Sequence, residues 1–466
     1  MFQPKYKWYD NFTNLTGGLI ILGAIILVYV LAGLNGSFGL NNPFERFTML
    51  KTLSEFKWMP LLIIFTPAVG GGIQLFFSRK TCYSRDTVVI VMSFSTILMT
   101  LLMYPTALDG GQLLSFPGFL GLGLSLKVDM LSLVMLLITS ILWFLVMVYA
   151  HAYMIKEKRC NRFFFFMALT YSSVLGTLVS ADLLTMFLFF EMMTITSYML
   201  VTHGQKEESY SAGYNYIFMG LLGGFAIFVA LVLMVVYVGD LSFTSAIVAL
   251  QATGSIRYWI IGLLVMGFGI KAGMAPVHVW LPRAHPVAPT PASALLSGIM
   301  IKVGAYGVLR VATSYYFPVK NTVDSRFDPI WLTSETIGFS IIWLGMITMA
   351  IGVFLALQQS NIKRMLAYHS ISQMGYIVMG IGVALYLGYY GAMGFAGSLY
   401  HIINHALFKS LLFMVAGSVY LHTRENDMYK LGGLWRKLPL SATVALIAAL
   451  GISGIPLFNG FVSKTI

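Results

Sequence analysis

The stretch Gly267 to Arg310 reads GFGIKAGMAPVHVWLPRAHPVAPTPASALLSGIMIKVGAYGVLR. It sets Lys271 and Lys302 inside apolar helical runs, each beside glycines, on either side of a proline-dense connection. A lysine near the middle of a bilayer costs roughly 2.5 to 3.5 kcal/mol on insertion scales, so it persists where it meets a partner or water. Two in one hairpin ask for a function. Gly273 and Pro276 follow the first lysine, and proline removes a helical hydrogen bond, so the helix is expected to break beside Lys271. Broken helices at membrane depth commonly line an ion site.

The rest of the chain supplies the setting. Its 466 residues are 58% hydrophobic and 10% charged, with mean hydropathy +0.81, which excludes an ordinary soluble domain and gives an all-α polytopic membrane protein. A spanning helix needs about 20 mostly apolar residues. Thirteen such runs are expected, near 15–36, 58–78, 87–105, 129–152, 163–180, 182–202, 211–238, 258–280, 289–314, 335–357, 362–385, 390–421 and 439–464. The first lacks a small-residue cleavage site and reads as a retained helix. A formal charge of +12 could suit nucleic acid, but its distribution along the loops points to a membrane instead. Seventeen of the 29 basic residues fall in loops on one side and seven in loops on the other. The positive-inside rule makes the richer side cytoplasmic, with the N-terminus, in a multi-pass protein of the cell (inner/cytoplasmic) membrane. Cys82 and Cys160 have no Cys-x-x-Cys spacing, so these cysteines build neither an iron–sulfur cluster nor a zinc site. No phosphate loop or dinucleotide fingerprint is present. The expectation is a chain without cofactor or bound metal, whose redox chemistry, if any, belongs to a partner.

Between the third and fourth runs, GLGLSLKVD alternates apolar and polar residues and predicts a small external hairpin before Asp129. Glu191 lies inside FFEMMTITSYML (189–200) and is read as the one acidic residue well within a helix, Asp129 and Asp182 being at helix starts. It is either a carboxylate satisfied by neighbouring hydroxyls or one kept ionised by a lysine such as Lys271. The glycine-rich run 211–238 offers small residues for packing. His278 and His285 read as residues near water, at the surface or at a gate. His369, with Ser370, Ser372 and Gln373, suggests a hydrated cluster inside the eleventh run. His401, His405 and Lys409 recur at i, i+4 and i+8 on one helical face. They suit a proton relay or a structural stripe; with no carboxylate or cysteine in the segment, no metal is expected. The last run is interrupted by Gly451, Gly454, Pro456 and Gly460, and Lys464 follows the break. Two interrupted helices with buried lysines are the trace expected of two inverted repeats. The second repeat would lack its closing helix, so either the chain is cut short or another part of an assembly supplies it.

The segments FFEMMTITSYML, Gly269 to Arg310, NIKRMLAYHSISQMGYI (361–377), LYHIINHALFKSLLFM (399–414) and SGIPLFNGFVSK (453–464) resemble the motifs of the antiporter-like subunits shared by complex I, Mrp-type sodium/proton antiporters and membrane-bound energy-converting hydrogenases. The wording is nearer the hydrogenase, formate-hydrogenlyase and Mrp branch. The resemblance implies a fold with two inverted five-helix repeats and a hydrated axis of charged residues at the midplane. It implies an organisation of an extra N-terminal helix with its external loop (1–57), three first core helices with the hairpin (58–162), a first repeat (163–314) and a second, shortened one (315–466). By position, Glu191 matches the family glutamate, Lys271 the lysine of the broken helix and Lys302 that of the following helix. His401, His405 and Lys409 match the central relay and Lys464 the terminal charge. His369 joins this pathway.

The expected function is movement of protons, or their exchange for sodium, along this axis as a membrane subunit of a respiratory or energy-converting redox complex. Its partners would be other membrane subunits and redox subunits carrying iron–sulfur, nickel or flavin groups. A subunit of a stand-alone Mrp-type antiporter is the alternative. A secondary transporter for an organic solute, or a scaffold that has lost transport, are rivals from other classes.

Overall fold

The computed structural model describes residues 55–76, 82–155, 157–243, 246–318 and 327–466. The expected first helix, 15–36, and its external loop lie outside them. The described chain is almost entirely helical. We label its main elements α1 (Met59–Ile73), α2 (Cys82–Leu102), β1 (Leu113–Phe116), β2 (Leu124–Lys127), α3 (Met130–Met154), α4 (Cys160–Val179), α5 (Leu183–Val201) and α6 (Glu207–Tyr237). There follow α7 (Ile256–Ala272), α8 (Leu281–Val287), α9 (Thr290–Tyr316), α10 (Pro329–Leu357), α11 (Ile362–Leu387), α12 (Ala392–Thr423), α13 (Pro439–Ser453) and α14 (Asn459–Thr465). Among the described residues ten helices are long and apolar enough to cross a membrane. The pairs α7/α8 and α13/α14 are the two interrupted helices.

Local chemistry sets the ends. Asp129 and Asp182 cap α3 and α5 by accepting from the backbone N–H of Ser132 at 2.9 Å and Thr185 at 2.7 Å, and Asn361 caps α11 through the N–H groups of Lys363 and Arg364. Asp328 caps α10, with Pro329 at its first position. The expected hairpin is present: β1 and β2 pair antiparallel with Leu114 opposite Leu126. It is stitched to the loop before α5, where Ala181 N–H donates to Ser125 O at 2.9 Å.

Helices that approach closely do so over glycine. A Cβ on Gly304 of α9 would stand 2.6 Å from both Phe268 O and Ala272 N of α7. The α10/α11 pair meets along Gly338, Gly345 and Gly352 on one helix and Gly375 and Gly382 on the other, each against backbone of its partner. Without a hydrophobic driving force between helices in lipid, such backbone approach supplies the packing. The outer face of α10 keeps Phe339, Trp343 and Phe354 exposed, as a lipid-facing helix does.

Two features depart from the sequence reading. Glu191 is not the one acid inside a helix, because α2 and α10 start several residues earlier than hydropathy suggests, which takes in Asp86 and moves Glu335 from a helix start into the second turn of α10. Asp86 is 1% exposed, with Arg85 Nε at 2.5 Å and His151 Nδ1 at 2.7 Å. His285 is not near water at the surface: it is fully buried and stacks on Phe413 with ring centroids 4.6 Å apart. The dense prolines around it imitate a loop, but Pro282 and Pro286 lie within α8, which packs against α6 and α11.

Candidate functional site

The α7 break begins where Gly273 takes a left-handed conformation, φ 74°, which glycine adopts without strain. That geometry ends α7 two residues after Lys271 and frees carbonyls of its last turn. One of them, Ile270 O, is capped by the indole N–H of Trp280 at 2.7 Å. Lys271, 3% exposed, points instead at α5 and α6. Its ammonium donates to Tyr216 OH at 2.6 Å and Thr194 Oγ1 at 3.1 Å, and it lies 4.6 Å from the Tyr216 ring centroid, a geometry favourable for a cation. Tyr216 OH is in turn hydrogen-bonded to Ser197 Oγ.

Glu191 stands one turn of α5 before Thr194. Its carboxylate rests over Gly224 of α6, where any Cβ would collide with both oxygens, and Oε1 has no hydrogen-bond partner among the described residues. Glu191 and Lys271 make no ion pair within 4.0 Å; their charges act on one another through space. Thr194 and Tyr216 hold the ammonium instead.

Lys302 lies on α9 just beyond a π turn, Leu296–Met300, and such widened turns release carbonyls from the helical ladder. Its ammonium donates to the carbonyl of Ser297. The Ser297 hydroxyl meets the Ser370 hydroxyl of α11 at 2.8 Å, Ser370 Oγ donates to Leu366 O at 2.9 Å, and Lys409 of α12 donates to the same carbonyl at 2.8 Å. Lys302 and Lys409 are thus joined through two serines and two carbonyls, wholly out of solvent. His405, one turn from Lys409, has no hydrogen-bond partner on either ring nitrogen among the described residues, and neither does Nδ1 of His369. His401 is 6.1 Å from His405, ring to ring, and is held by Gln373 Oε1 at 3.1 Å and Ser463 Oγ at 3.0 Å.

The second break repeats the first with one change. Gly454 is left-handed, φ 77°, and ends α13; here Lys464 of α14 caps the freed carbonyl, donating to Ile452 O at 2.6 Å. Its ammonium lies 5.2 Å from the Tyr376 ring, which neighbours His401. All eight residues singled out from sequence therefore fall into two groups. Glu191 and Lys271 form one between α5, α6 and α7. Lys302, His369, His401, His405, Lys409 and Lys464 form the other across α9, α11, α12 and α14.

Sequence reasoning missed three further charged positions. Lys363, placed in a loop by its neighbours, is 4% exposed and donates to Ala288 O at 3.0 Å. Arg310, two turns beyond Lys302 on the same face of α9, holds Asp129 in a two-pronged pair at 2.6 and 2.9 Å and also reaches Ser132 and Tyr306. Burial works to raise the Asp129 pKa, but the guanidinium and the capping N–H overcome it and hold the carboxyl at about 2. Asp182 has capping bonds and no such cation, and burial pushes it upward. Asp86 is the third.

The chain as a whole is similar to known proteins. Residues 180–466 match the family described as NADH:quinone oxidoreductase/Mrp antiporter, transmembrane region, and residues 115–164 match the N-terminus of complex I chain 5. Hydrogenase-4 component B of Escherichia coli is 36% identical over 355 residues, covering 75% of this chain and 51% of that protein. A Na(+)/H(+) antiporter subunit of Alkalihalophilus pseudofirmus is 29% identical over 87% of this chain and 78% of its own. The chain therefore spans about half the length of the hydrogenase component and more of the antiporter protein. Among solved structures, the membrane-bound sulfane sulfur reductase, an archaeal respiratory complex, superposes with TM-score 0.75 at 27% identity, covering 87% of this chain and 64% of that one. The Mrp complex from a Dietzia species gives 0.74 at 23% identity, covering 88% and 73%, a likeness of fold. The chain belongs to the NADH:quinone oxidoreductase/Mrp antiporter family and is an antiporter-like membrane subunit of the complex I, Mrp and hydrogenase group.

Proposed function

We propose that this chain translocates protons along Glu191, Lys271, Lys302, the His369/His401/His405/Lys409 cluster and Lys464, driven by a redox event in partner subunits of a respiratory or energy-converting complex. The observation that carries the reading is the burial of Lys302 and Lys409 on neighbouring helices with the Ser297 and Ser370 hydroxyls between them; each ammonium rests on a backbone carbonyl, Ser297 O or Leu366 O, which only accepts, so the titrating nitrogens and not the carbonyls would carry the proton. Glu191 and Lys271 act as the switch. With Tyr216 and Thr194 holding the ammonium, the pair is apart; closure would stabilise both charges, and a change of about 1.4 kcal/mol in that coupling moves a pKa by one unit. In this reading the chain lies in the cell membrane with its N-terminus cytoplasmic, and the repeat at 163–314 carries Glu191, Lys271 and Lys302 while that at 315–466 carries His369, His401, His405, Lys409 and Lys464.

The test is proton uptake by vesicles carrying the assembled complex with Glu191→Gln. A fall of tenfold or more is expected; pumping at the wild-type rate would refute the switch. The second reading, membership of an Mrp-type sodium/proton antiporter, is favoured by the likeness to the Alkalihalophilus protein. Purification in mild detergent separates the two: iron–sulfur with nickel or flavin subunits mark the redox complex, and small hydrophobic partners without metal mark the antiporter.

A further inference from the structure

On the face that is rich in basic loops, a cavity of about 1260 Å³ is walled by six exposed cations, Lys158, Arg159, Lys206, Arg283, Arg364 and Arg424. Lys363 also lines it, but its ammonium is taken up by Ala288 O at 3.0 Å. The acidic residues there are Glu157, Glu207 and Glu208. Two of them lie in the first turn of α6, where the helix dipole already favours a carboxylate. The third, Glu157, stands 3.9 Å from Arg424, the one ion pair among the cavity's charges in the described residues. The backbone carries a second, independent sign. Four residues other than glycine are left-handed in the described chain, and three of them, Arg159 (φ 60°), Gln205 (φ 50°) and Arg424 (φ 58°), line this cavity. Arg159 precedes α4, Gln205 follows the turn that closes α5, and Arg424 follows α12. Glycine takes this conformation without strain and is the usual residue just past a helix. Two of the three positions carry arginine instead, and strained residues of this kind gather at binding sites.

We infer that this cavity is a binding site for an anion bearing two phosphate groups, held by Arg159 and Arg424 within a positive wall completed by the other four exposed cations. The inference is independent of the proton axis. The positive-inside rule accounts for basic residues in these loops, but it asks for charge on one side of the membrane and not for arginine at backbone positions suited to glycine. Arginine's planar fork meets phosphate oxygens with two parallel N–H bonds. Apart from the long contact of Arg424 with Glu157, the guanidinium groups of this cavity make no ion pair among the described residues, so their donors are available. The six exposed cations exceed the three carboxylates by three, an imbalance that one carboxylate ligand leaves standing and two joined phosphates largely cancel. Two sources offer that chemistry, a soluble diphosphate and a lipid headgroup that joins two phosphates. Basic pockets at the cytoplasmic ends of transmembrane helices suit the second, and the first needs only the open side of the cavity.

The experiment uses the whole purified complex in phosphatidylcholine nanodiscs. In one arm inorganic pyrophosphate is titrated calorimetrically; in the other, cardiolipin is added to the nanodisc lipid and its retention is read by native mass spectrometry. Saturable binding in the pyrophosphate arm marks a soluble diphosphate as the ligand, and retention of cardiolipin marks a lipid headgroup; either result supports the site. Arg159→Gly combined with Arg424→Gly suits the left-handed backbone, so the melting temperature is expected to hold while binding weakens about tenfold through loss of two charge-assisted contacts. Gln205→Gly relieves the same strain without removing a charge and is expected to bind as wild type. Arg436→Gln removes an exposed cation outside the cavity, in the segment that follows Arg424, and is also expected to bind as wild type. A loss in Gln205→Gly or Arg436→Gln equal to that of the double variant would trace binding to the fold or to overall charge and would overturn the site. So would the absence of saturable binding in both arms, the result expected if an acidic segment of a partner subunit fills the cavity.

Discussion

The two broken helices look alike in backbone and differ in who closes the wound. At Gly273 and Gly454 the chain turns left-handed with φ 74° and 77°, and each break leaves a carbonyl in need of a donor. In the first, the neutral indole of Trp280 takes Ile270 O, and Lys271 is left to side-chain hydroxyls. In the second, the lysine itself takes Ile452 O. A lysine that bonds only to hydroxyls can lose its proton while the backbone stays satisfied. Deprotonation of the capping lysine weakens the bond that holds the break together. The comparison teaches that the same sequence device, glycine and proline beside a lysine, leaves the ammonium on side-chain hydroxyls at one site and on a backbone carbonyl at the other.

The comparison can be broken most forcefully at the first site. Lys271→Met combined with Glu191→Gln is expected to reduce proton pumping at least tenfold with little change in thermal stability, since replacing both members of a buried charge pair by neutral groups of similar size is often neutral or stabilising. Thermal melting of the purified complex together with the pumping rate checks it, and a large loss of stability would put Lys271 in the same class as Lys464. Gly304→Ala should cost about 1 to 3 kcal/mol by overpacking, because the backbone of α7 stands 2.6 Å from the new methyl; the melting temperature reads it, and α7 rather than α13 is the helix displaced. Lys464→Met should leave Ile452 O unsatisfied and cost about 1 kcal/mol, the low end for a lost donor because the site is half-exposed. Lys464→Gln, which can still donate, should restore stability without restoring pumping; recovery of both would show the charge there to be dispensable. Smallest is the effect of acid on the outer end of α9. The Asp129 pKa is depressed below the ordinary 3.8 to about 2, so the stability from its pair with Arg310 is present above about pH 4 and lost as pH falls toward 2. An Asp129→Asn variant should flatten that part of the stability profile, and an unchanged profile would mean Arg310 anchors α9 through Tyr306 and Ser132 alone.

The breaks themselves were legible because glycine and proline act locally, and so was the hairpin, since alternation in GLGLSLKVD needs no tertiary partner. The i, i+4, i+8 spacing of His401, His405 and Lys409 likewise foretold one shared face. What was not legible depends on partners far away in the chain. Arg310 and Asp129 are 181 residues apart and Lys363 and Ala288 are 75 apart, so neither pairing leaves a local signal. Nothing local in the sequence signals that the Trp280 N–H takes Ile270 O and leaves Lys271 to side-chain hydroxyls. His285 was misplaced because prolines that form a short buried helix have the composition of a surface turn.

The π turn at Leu296–Met300 also works as a phase shifter. Each residue advances an α-helix by about 100°, so widening one turn by a residue changes which compass bearing everything after it takes. Thr290 and Pro291 face one neighbourhood in the register of the first segment, whereas Lys302, Tyr306 and Arg310 follow that of the second. Deleting a single residue within the turn would swing all three about a quarter-turn off their partners while leaving the composition of α9 almost untouched. The wiring of the axis is thus encoded in a count of residues as much as in their kinds.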